Sequence, residues 1–238
     1  MDTSKVLEYF DPSEYRFAYN VIGCGAIGSH VCEQLTRLGI TEVHIYDFDT
    51  VEAHNISNQM FLDSDIGTKK VDACEAAMKA INPEIIVHKH PEGLTPPYVV
   101  NGICILCVDN IDLRREIVKA NQFNPNCAAF LDFRMRLVDA QHYFADAKNR
   151  FEVTELLNTM AFTHEEAVDA TPKSACGVEL SIIYTVKAIV SFGMANMVKW
   201  LLSRDDYRTM MQINMDSFIV DAFRARPRTP VNIAADTK

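Results

Sequence analysis

The sequence is poor in the residues that mark fibrous, disordered and basic proteins. Its 238 residues include only nine glycines and nine prolines, which excludes a collagen-like or low-complexity chain. Basic side chains are outnumbered, 23 against 32 acidic ones, so the net charge is −9. This balance argues against general binding to nucleic acid or to anionic membranes, but it is compatible with a local nucleotide site.

We also expect no signal peptide, and the cysteines show no disulfide pattern. The N-terminus lacks the apolar segment of a signal peptide, and the seven cysteines are an odd number spread through apolar stretches. Positions 180–202 form a long apolar stretch, but Lys187 and Lys199 would be costly inside a bilayer. We therefore expect a soluble cytoplasmic protein in which this stretch is a helix that is buried or forms a dimer interface.

What the sequence does contain is an alternation of short apolar strands and amphipathic helices. Strands are predicted at positions 18–22, 42–46, 84–87, 103–108 and 127–131, with helices near 27–38, 69–81 and 111–122. Such βαβ units predict an α/β fold with a doubly wound, Rossmann-like, mostly parallel sheet. Positions 135–144 predict antiparallel strands that extend this sheet in the second half, and positions 151–168 are polar, acidic and helix-prone.

Three predicted strands end at residues suited to binding a ligand. Gly23, Asp47 and Asp109 each follow such a strand. Because the carboxyl ends of parallel strands meet at one edge of a sheet, we expect these residues to lie at the same edge.

A glycine-rich loop follows the first strand. Gly23, Gly25 and Gly28 form a G-x-G-x-x-G, in which the first glycine permits a tight turn, the second a close approach to phosphate and the third packing of helix on strand. The helix N-terminus at Ala26 and Ile27 offers N–H groups to an anion. Asp47 follows at the distance of a ribose-binding carboxylate. This fingerprint alone favours an NAD-dependent oxidoreductase.

The polar residues after Asp47 favour ATP instead. An ATP site that loses pyrophosphate needs a carboxylate for the ribose, a cation for the charge that moves onto the phosphates, and a carboxylate for Mg²⁺. Asp47, Lys70 and Asp109 supply these three groups. A dinucleotide site has no need of the last two.

With these residues the sequence resembles the ubiquitin-activating-enzyme-like family, the ThiF/MoeB/HesA adenylyltransferases. The resemblance runs over positions 21–114 and, more weakly, from Cys176 through the long helix. The family's motifs fall on Gly23, Gly25 and Gly28 (glycine loop), Asp47 and Asp49 (D-x-D), Asn55 and Gln59 (N-x-x-R-Q), Lys70 (G-x-x-K), and Asp109, Asn110 and Arg114 (D-N-x-x-x-R). The arginine of N-x-x-R-Q is replaced by Asn58, which removes a cation from the phosphate site.

The resemblance implies an ATP-dependent adenylyltransferase. Such an enzyme activates the C-terminal carboxylate of a ubiquitin-like or sulfur-carrier protein as an acyl-adenylate and releases pyrophosphate. It implies catalytic roles for Asn55, Lys70, Asp109 and Arg114, with Mg²⁺ on Asp109. It also implies nucleotide contacts from the glycine loop with Ala26 and Ile27, and from Asp47, Asp49, Asn55, Gln59, Lys70 and Asp109.

Cys176 and the CxxC pair raise two further questions. Cys176 lies where some family members carry an acyl-accepting thiol, but we expect adenylation alone. Cys104 and Cys107 lie three apart in a predicted strand and so point to opposite faces, which excludes them as joint ligands of one ion. We therefore expect no zinc.

The resemblance also bears on organisation. We expect one domain over 1–238, with a nucleotide-binding half (1–132), a partner and dimer half (133–222) and a flexible tail (223–238). We further expect a homodimer that binds the partner's tail, and neither nucleic acid nor membrane. Two alternatives stay open, an NAD-binding oxidoreductase and a non-catalytic nucleotide-binding scaffold.

Overall fold

A central sheet organises the computed structural model, which describes residues 1–170, 180–203 and 205–225. In this part of the chain the sheet has eight strands: β1 (Tyr19–Ile22), β2 (Glu42–Tyr46), β3 (Ile86–His90), β4 (Gly102–Leu106), β5 (Cys127–Arg136), β6 (Asp139–Asp146), β7 (Met210–Asn214) and β8 (Ile219–Phe223). Their spatial order is β3-β2-β1-β4-β5-β6-β7-β8. The strands from β3 to β5 pair in parallel, and β6, β7 and β8 are added antiparallel.

Helices cover both faces of this sheet. The described helices are α1 (Ser4–Leu7), α2 (Ala26–Arg37), α3 (Lys70–Ile81), α4 (Ile111–Asn121), α5 (Arg150–Asn158), α6 (His164–Asp169) and α7 (Ile183–Leu202). Buried side chains of α2, α3 and α7 share one hydrophobic core, while those of α4 and α5 share a second. The doubly wound, Rossmann-like sheet with an antiparallel extension is therefore confirmed.

The boundaries of several elements differ from the sequence prediction. The helix-prone stretch over 151–168 contains two helices, because Thr163 starts α6 as an N-cap whose hydroxyl accepts a hydrogen bond from Glu166 N–H at 3.2 Å. The Glu166 carboxylate in turn accepts from Thr163 N–H, which completes a capping box. Strand β3 lies two to three residues later than predicted, and β5 continues to Arg136 before the chain turns at Leu137.

The long apolar stretch forms a helix that is buried within this chain. Eleven of the twenty residues of α7 are buried, and the helix packs on α2, β5 and β6. Lys187 and Lys199 lie on its exposed side. Within the described ranges, every helix is too short or too polar to cross a membrane. Of the two alternatives for this stretch, burial in the core is the one observed.

One titratable side chain sits inside the core beside α7. His142, on β6, is fully buried, and its ring lies 6.0 Å from the ring of Phe133. Burial lowers the pKa of this imidazole to about 4, although the nearby Asp132 carboxylate acts in the opposite direction. His142 is therefore neutral in the folded protein at neutral pH.

We predict that His142 makes the protein acid-sensitive. The unfolded chain takes up a proton near the usual histidine pKa, whereas the folded chain resists protonation down to about pH 4, so stability falls as the pH drops through this interval. The contribution is about 2 kcal/mol between about pH 7 and about pH 5. Urea unfolding at both pH values should show a smaller loss for His142→Leu than for the wild type. Equal losses in the two proteins would contradict this assignment.

Candidate active site

The glycine loop forms a cradle with one open position. Gly23 has a φ of 95°, and a Cβ there would lie 2.9 Å from the Cys107 carbonyl carbon. At Gly28 a Cβ would lie 1.8 Å from the Gly23 oxygen, so both positions exclude side chains. At Gly25 a Cβ would meet no described atom within 4 Å. The packed first and third glycines and the open second one are the arrangement that a phosphate cradle requires.

The helix behind the loop presents its N-terminus to this open position. Helix α2 begins at Ala26, and among the described residues no side chain caps it. The first N–H groups of a helix, here around Ala26 and Ile27, have no partner within the helix and carry a partial positive charge. They are therefore free to bind an anion above Gly25.

Asp47 ties the glycine loop to the segment after β2. One of its carboxylate oxygens accepts a hydrogen bond from Cys24 N–H at 2.7 Å, and the other accepts from Asp49 N–H at 2.8 Å. A carboxylate can accept about four hydrogen bonds, so two places remain for hydroxyl groups of a ligand. Asp47 thus has a structural role that the sequence did not reveal, beside the ribose contact that stays a prediction.

Lys70 is held in place by the second carboxylate of the D-x-D pair. Its side chain is nearly buried at the start of α3, and its Nζ lies 2.8 Å from Asp49 Oδ2. The Lys70 N–H also donates to the Asp49 carbonyl at 3.0 Å. This double contact fixes a cation at the carboxyl end of β2.

Three residues of the N-x-x-R-Q segment occupy a short helical turn over 53–57 and its exit. Asn55 is buried, and its Oδ1 accepts a hydrogen bond from Glu52 N–H at 2.9 Å. The side-chain oxygens of Asn58 and Gln59 are buried and have no hydrogen-bond partner among the described residues. Buried oxygens without partners, here on two consecutive residues, are costly unless a ligand or water donates to them. They fit a polar ligand at this position.

Asp109 lies at the carboxyl end of β4 but is exposed rather than buried. The sequence predicted a strand that runs to position 108, directly before Asp109, whereas β4 ends at Leu106 and two further residues separate Asp109 from it. The next residue, Asn110, caps α4 by accepting a hydrogen bond from Leu113 N–H at 3.0 Å. Because β2, β1 and β4 are neighbours, the glycine loop, the D-x-D pair and Asp109 share one edge, as the sequence predicted.

Arg114 faces protein groups instead of open space. Its guanidinium donates to the carbonyls of Leu106, Val108 and Phe133 and forms an ion pair with the buried Asp132. Burial alone would raise the pKa of Asp132, but Arg114 and Arg134 together hold it below its ordinary value. In the structure Arg114 therefore supports the end of β4 and the residue before Asp109.

A cavity of about 630 Å³ extends from Asp109 along β5 and β6 to α6. Arg134 lies in its wall, held by Asp132 at 2.7 Å and by the Thr159 carbonyl at 2.8 Å. Arg136 also lines it, is exposed, and makes no ion pair in the described part of the chain. The sequence analysis assigned no role to these two arginines. The cavity can accept an extended polar chain that ends beside Asp109.

The two cysteines of the CxxC pair pack into different cores. Cys104 lies in the core of α4 and α5, and Cys107 packs against the core of α2 and α7. They therefore face opposite sides of the sheet, as predicted. Cys176 falls outside the described residues, and its role as an acyl acceptor stays a prediction.

Comparison with known proteins identifies the family. The sequence profile of the ThiF family matches residues 16–232. This chain belongs to the ThiF family. Among curated proteins it is 30% identical over 118 residues to ubiquitin-like modifier-activating enzyme 5 of Rattus norvegicus, which covers 42% of this chain and 29% of that protein. It is 34% identical over 79 residues to the Arabidopsis thaliana protein of the same name. That match covers 33% of this chain and 18% of the plant protein.

Two solved structures have a similar fold. A crystal structure of E. coli MccB with ATP has a TM-score of 0.65 at 18% identity and covers 91% of this chain and 65% of MccB. A crystal structure of PaaA has a TM-score of 0.66 at 16% identity and covers 88% of this chain and 64% of PaaA. Identities this low show the fold alone. The chain spans less than a third of the length of the two curated relatives and less than two thirds of the two solved ones.

We predict that Arg114 is needed for stability. Arg114→Met leaves the buried Asp132 carboxylate with Arg134 as its remaining cation, which should lower the free energy of unfolding by about 3 kcal/mol. Arg37→Met is the matched control, because Arg37 is an exposed helical arginine paired with Glu33. Loss of an exposed ion pair of this kind lowers the free energy of unfolding by less than about 1 kcal/mol. Denaturant unfolding measures both variants. Similar losses for the two would show that the Arg114 contacts carry no special weight.

Proposed function

We propose that this chain is an ATP-dependent adenylyltransferase that activates the C-terminal carboxylate of a ubiquitin-like or sulfur-carrier protein. The observation that carries the proposal is the fixed Lys70–Asp49 pair beside an open glycine loop, with Asp109 at the same sheet edge. Membership of the ThiF family supports it. The fold is also similar to that of MccB, which has been crystallised with ATP.

In the proposed reaction the glycine loop and the N-terminus of α2 hold the phosphates. A carboxylate oxygen of the partner attacks the α-phosphorus, an oxygen–phosphorus bond forms, and the bond between the α-phosphorus and its bridging oxygen breaks. Pyrophosphate leaves with the electron pair of that bond. Lys70, oriented by Asp49, neutralises the charge that builds up on the phosphates. Asn55 and Gln59 contact the nucleotide from the neighbouring segment.

Asp109 fits a magnesium ligand. Mg²⁺ in nucleotide sites is usually held by one or two carboxylates together with phosphates and water, and Asp109 is an exposed carboxylate with room around it. When bound, Mg²⁺ would neutralise charge on the phosphates. We propose that Arg114 acts as a positioning residue, because its contacts to Val108 and Asp132 fix the chain beside Asp109.

The cavity between Asp109 and α6 is the proposed site of the partner's tail. It leads to the edge where the α-phosphate would lie, and Arg136 at its wall is a cation without an ion-pair partner in the described ranges. An extended C-terminal peptide fits such a cavity because its carboxylate reaches the nucleotide while its backbone bonds to the walls. We propose adenylation as the whole reaction, without transfer to Cys176.

Asn58 gives the alternative of a non-catalytic nucleotide-binding scaffold its best support. An arginine at this position would add a charge-assisted contact worth about 1.5–3 kcal/mol, and Asn58 cannot replace it. The buried Lys70 is the counter-argument, because a scaffold has no need to fix a lysine with a carboxylate. Lys70 and Asp109 also argue against an NAD-dependent oxidoreductase, because a dinucleotide site needs neither residue.

We also propose a homodimer in a reducing, cytoplasmic compartment. With α7 buried, the exposed apolar residues near β8, Phe218, Ile219 and Phe223, are the better support for an interface. The described cysteines are free thiols, which suits a reducing compartment.

The division into halves at residue 132 stays a prediction, and β5 runs across it. Of the proposed tail, residues 226–238 lie outside the described ranges.

We predict that Lys70→Met lowers partner-dependent ATP–pyrophosphate exchange by about 10²–10³-fold, because a fixed cation on the phosphates is lost. Lys69→Met is the matched control: Lys69 precedes it, is exposed, and donates to the Phe48 carbonyl at 2.7 Å. Exchange is measured with a panel of ubiquitin-like and sulfur-carrier proteins. Calorimetry should show Mg·ATP binding to the wild type more tightly than NAD.

Equal exchange rates for the Lys70 and Lys69 variants would remove Lys70 from the mechanism. Tighter binding of NAD than of Mg·ATP would contradict the proposed function as a whole. Circular dichroism of Lys70→Met, compared with the wild type, checks that the buried substitution leaves the fold intact.

A further inference from the structure

A cluster of histidines lies on one face of the sheet, where β2 pairs with β3. Glu42 and His44 alternate along β2 and so share a face, and His88 on β3 stands directly opposite His44. The other face of β2 carries Val43 and Ile45, which are fully buried in the core of α2 and α3. Glu42, His44 and His88 therefore lie on the face of the two paired strands that is opposite this core.

The side chains of this cluster are close enough to share one ion. His88 Nε2 lies 2.8 Å from Glu42 Oε1, and the rings of His44 and His88 stack with centroids 4.3 Å apart. One ligand atom from each of the three residues lies within 4.8 Å of the others. Ligands of a tetrahedral zinc ion lie roughly 3–4 Å apart, given bonds of about 2.0–2.2 Å. Small side-chain rotations would bring the three ligand atoms from within 4.8 Å of one another to the shorter separations of a zinc site.

A further histidine supports the cluster from behind. His90 Nε2 lies 3.4 Å from His44 Nδ1, and the Tyr46 ring stacks on His90 with centroids 4.0 Å apart. His90 Nδ1 lies 3.8 Å from Glu92 Oε1. The contact with His90 restricts the orientation of the His44 ring, as second contacts of histidine ligands do in metal sites.

We propose that Glu42, His44 and His88 bind a divalent transition-metal ion such as Zn²⁺ or Co²⁺. Two imidazoles and one carboxylate suit such an ion better than Mg²⁺, which prefers an all-oxygen shell, and three protein ligands leave a position open to water or another ligand. The side chains of Glu42 and His88 are 56% and 42% exposed, so the ion can enter from solvent.

This site is separate from the proposed nucleotide site. Glu42 begins β2, whereas the glycine loop and the D-x-D pair follow the carboxyl ends of β1 and β2. The spacing of the histidines in the sequence gave no sign of the cluster, because its members come from strands more than forty residues apart. The expectation of no zinc rested on the CxxC pair alone.

The test is a titration of the full chain with Co²⁺, followed by its absorption spectrum, and with Zn²⁺, followed by calorimetry. We expect one ion per chain and no thiolate-to-cobalt charge-transfer band. His88→Ala and, separately, His44→Ala should each weaken binding at least tenfold. The control is His54→Ala, because His54 is an exposed histidine 3.4 Å from Glu52 but outside the cluster. It should bind like the wild type.

Three results would overturn the proposal. One is the absence of saturable binding by the wild type. Another is unchanged affinity in both His88→Ala and His44→Ala. The last is a thiolate band, which would move the ion to the cysteines. Nucleotide binding is not part of the readout, so a failure here leaves the proposed adenylyltransferase unaffected.

Discussion

The buried carboxylate of Asp132 is the constraint on which the site edge depends. A fully buried charge is costly unless cations and hydrogen bonds compensate it, and here Arg114 and Arg134 meet it from two sides. Arg114 uses its remaining donors on the end of β4, next to Asp109, while Arg134 reaches the wall of the cavity. The buried charge of Asp132 therefore fixes the positions of Asp109, the proposed Mg²⁺ ligand, and of the proposed peptide site relative to each other.

The nucleotide side of the edge depends on a second set of carboxylate contacts. Asp47 joins the glycine loop to the D-x-D segment, and Asp49 in that segment holds Lys70. Asp47, Asp49 and Lys70 are thus oriented by their neighbours rather than free in a loop. Catalysis by positioning and charge neutralisation requires this kind of preorganisation, because side chains that must first be ordered lose part of their effect.

The sequence predicted the parts that depend on local pattern. Strand β2 and the roles of Gly23 and Gly28 follow from short-range periodicity and from the steric demands of a strand–turn–helix. The protein contacts of Arg114 were missed, because Asp132 and Phe133 lie on β5 and the contacts depend on where β5 lies beside β4. The Glu42–His44–His88 cluster was missed because strand pairing, not sequence spacing, brings it together.

The central claim is that the chain transfers adenylate to a carboxylate, and the nucleotide products of ATP turnover test it most directly. With a carrier protein that has a free C-terminus, the account predicts pyrophosphate and an acyl-adenylate on that C-terminus, because attack at the α-phosphorus joins AMP to the carboxylate and releases both outer phosphates together. The same carrier with an amidated C-terminus should give neither product. ADP and phosphate as products, or turnover that ignores the amidation, would contradict the account.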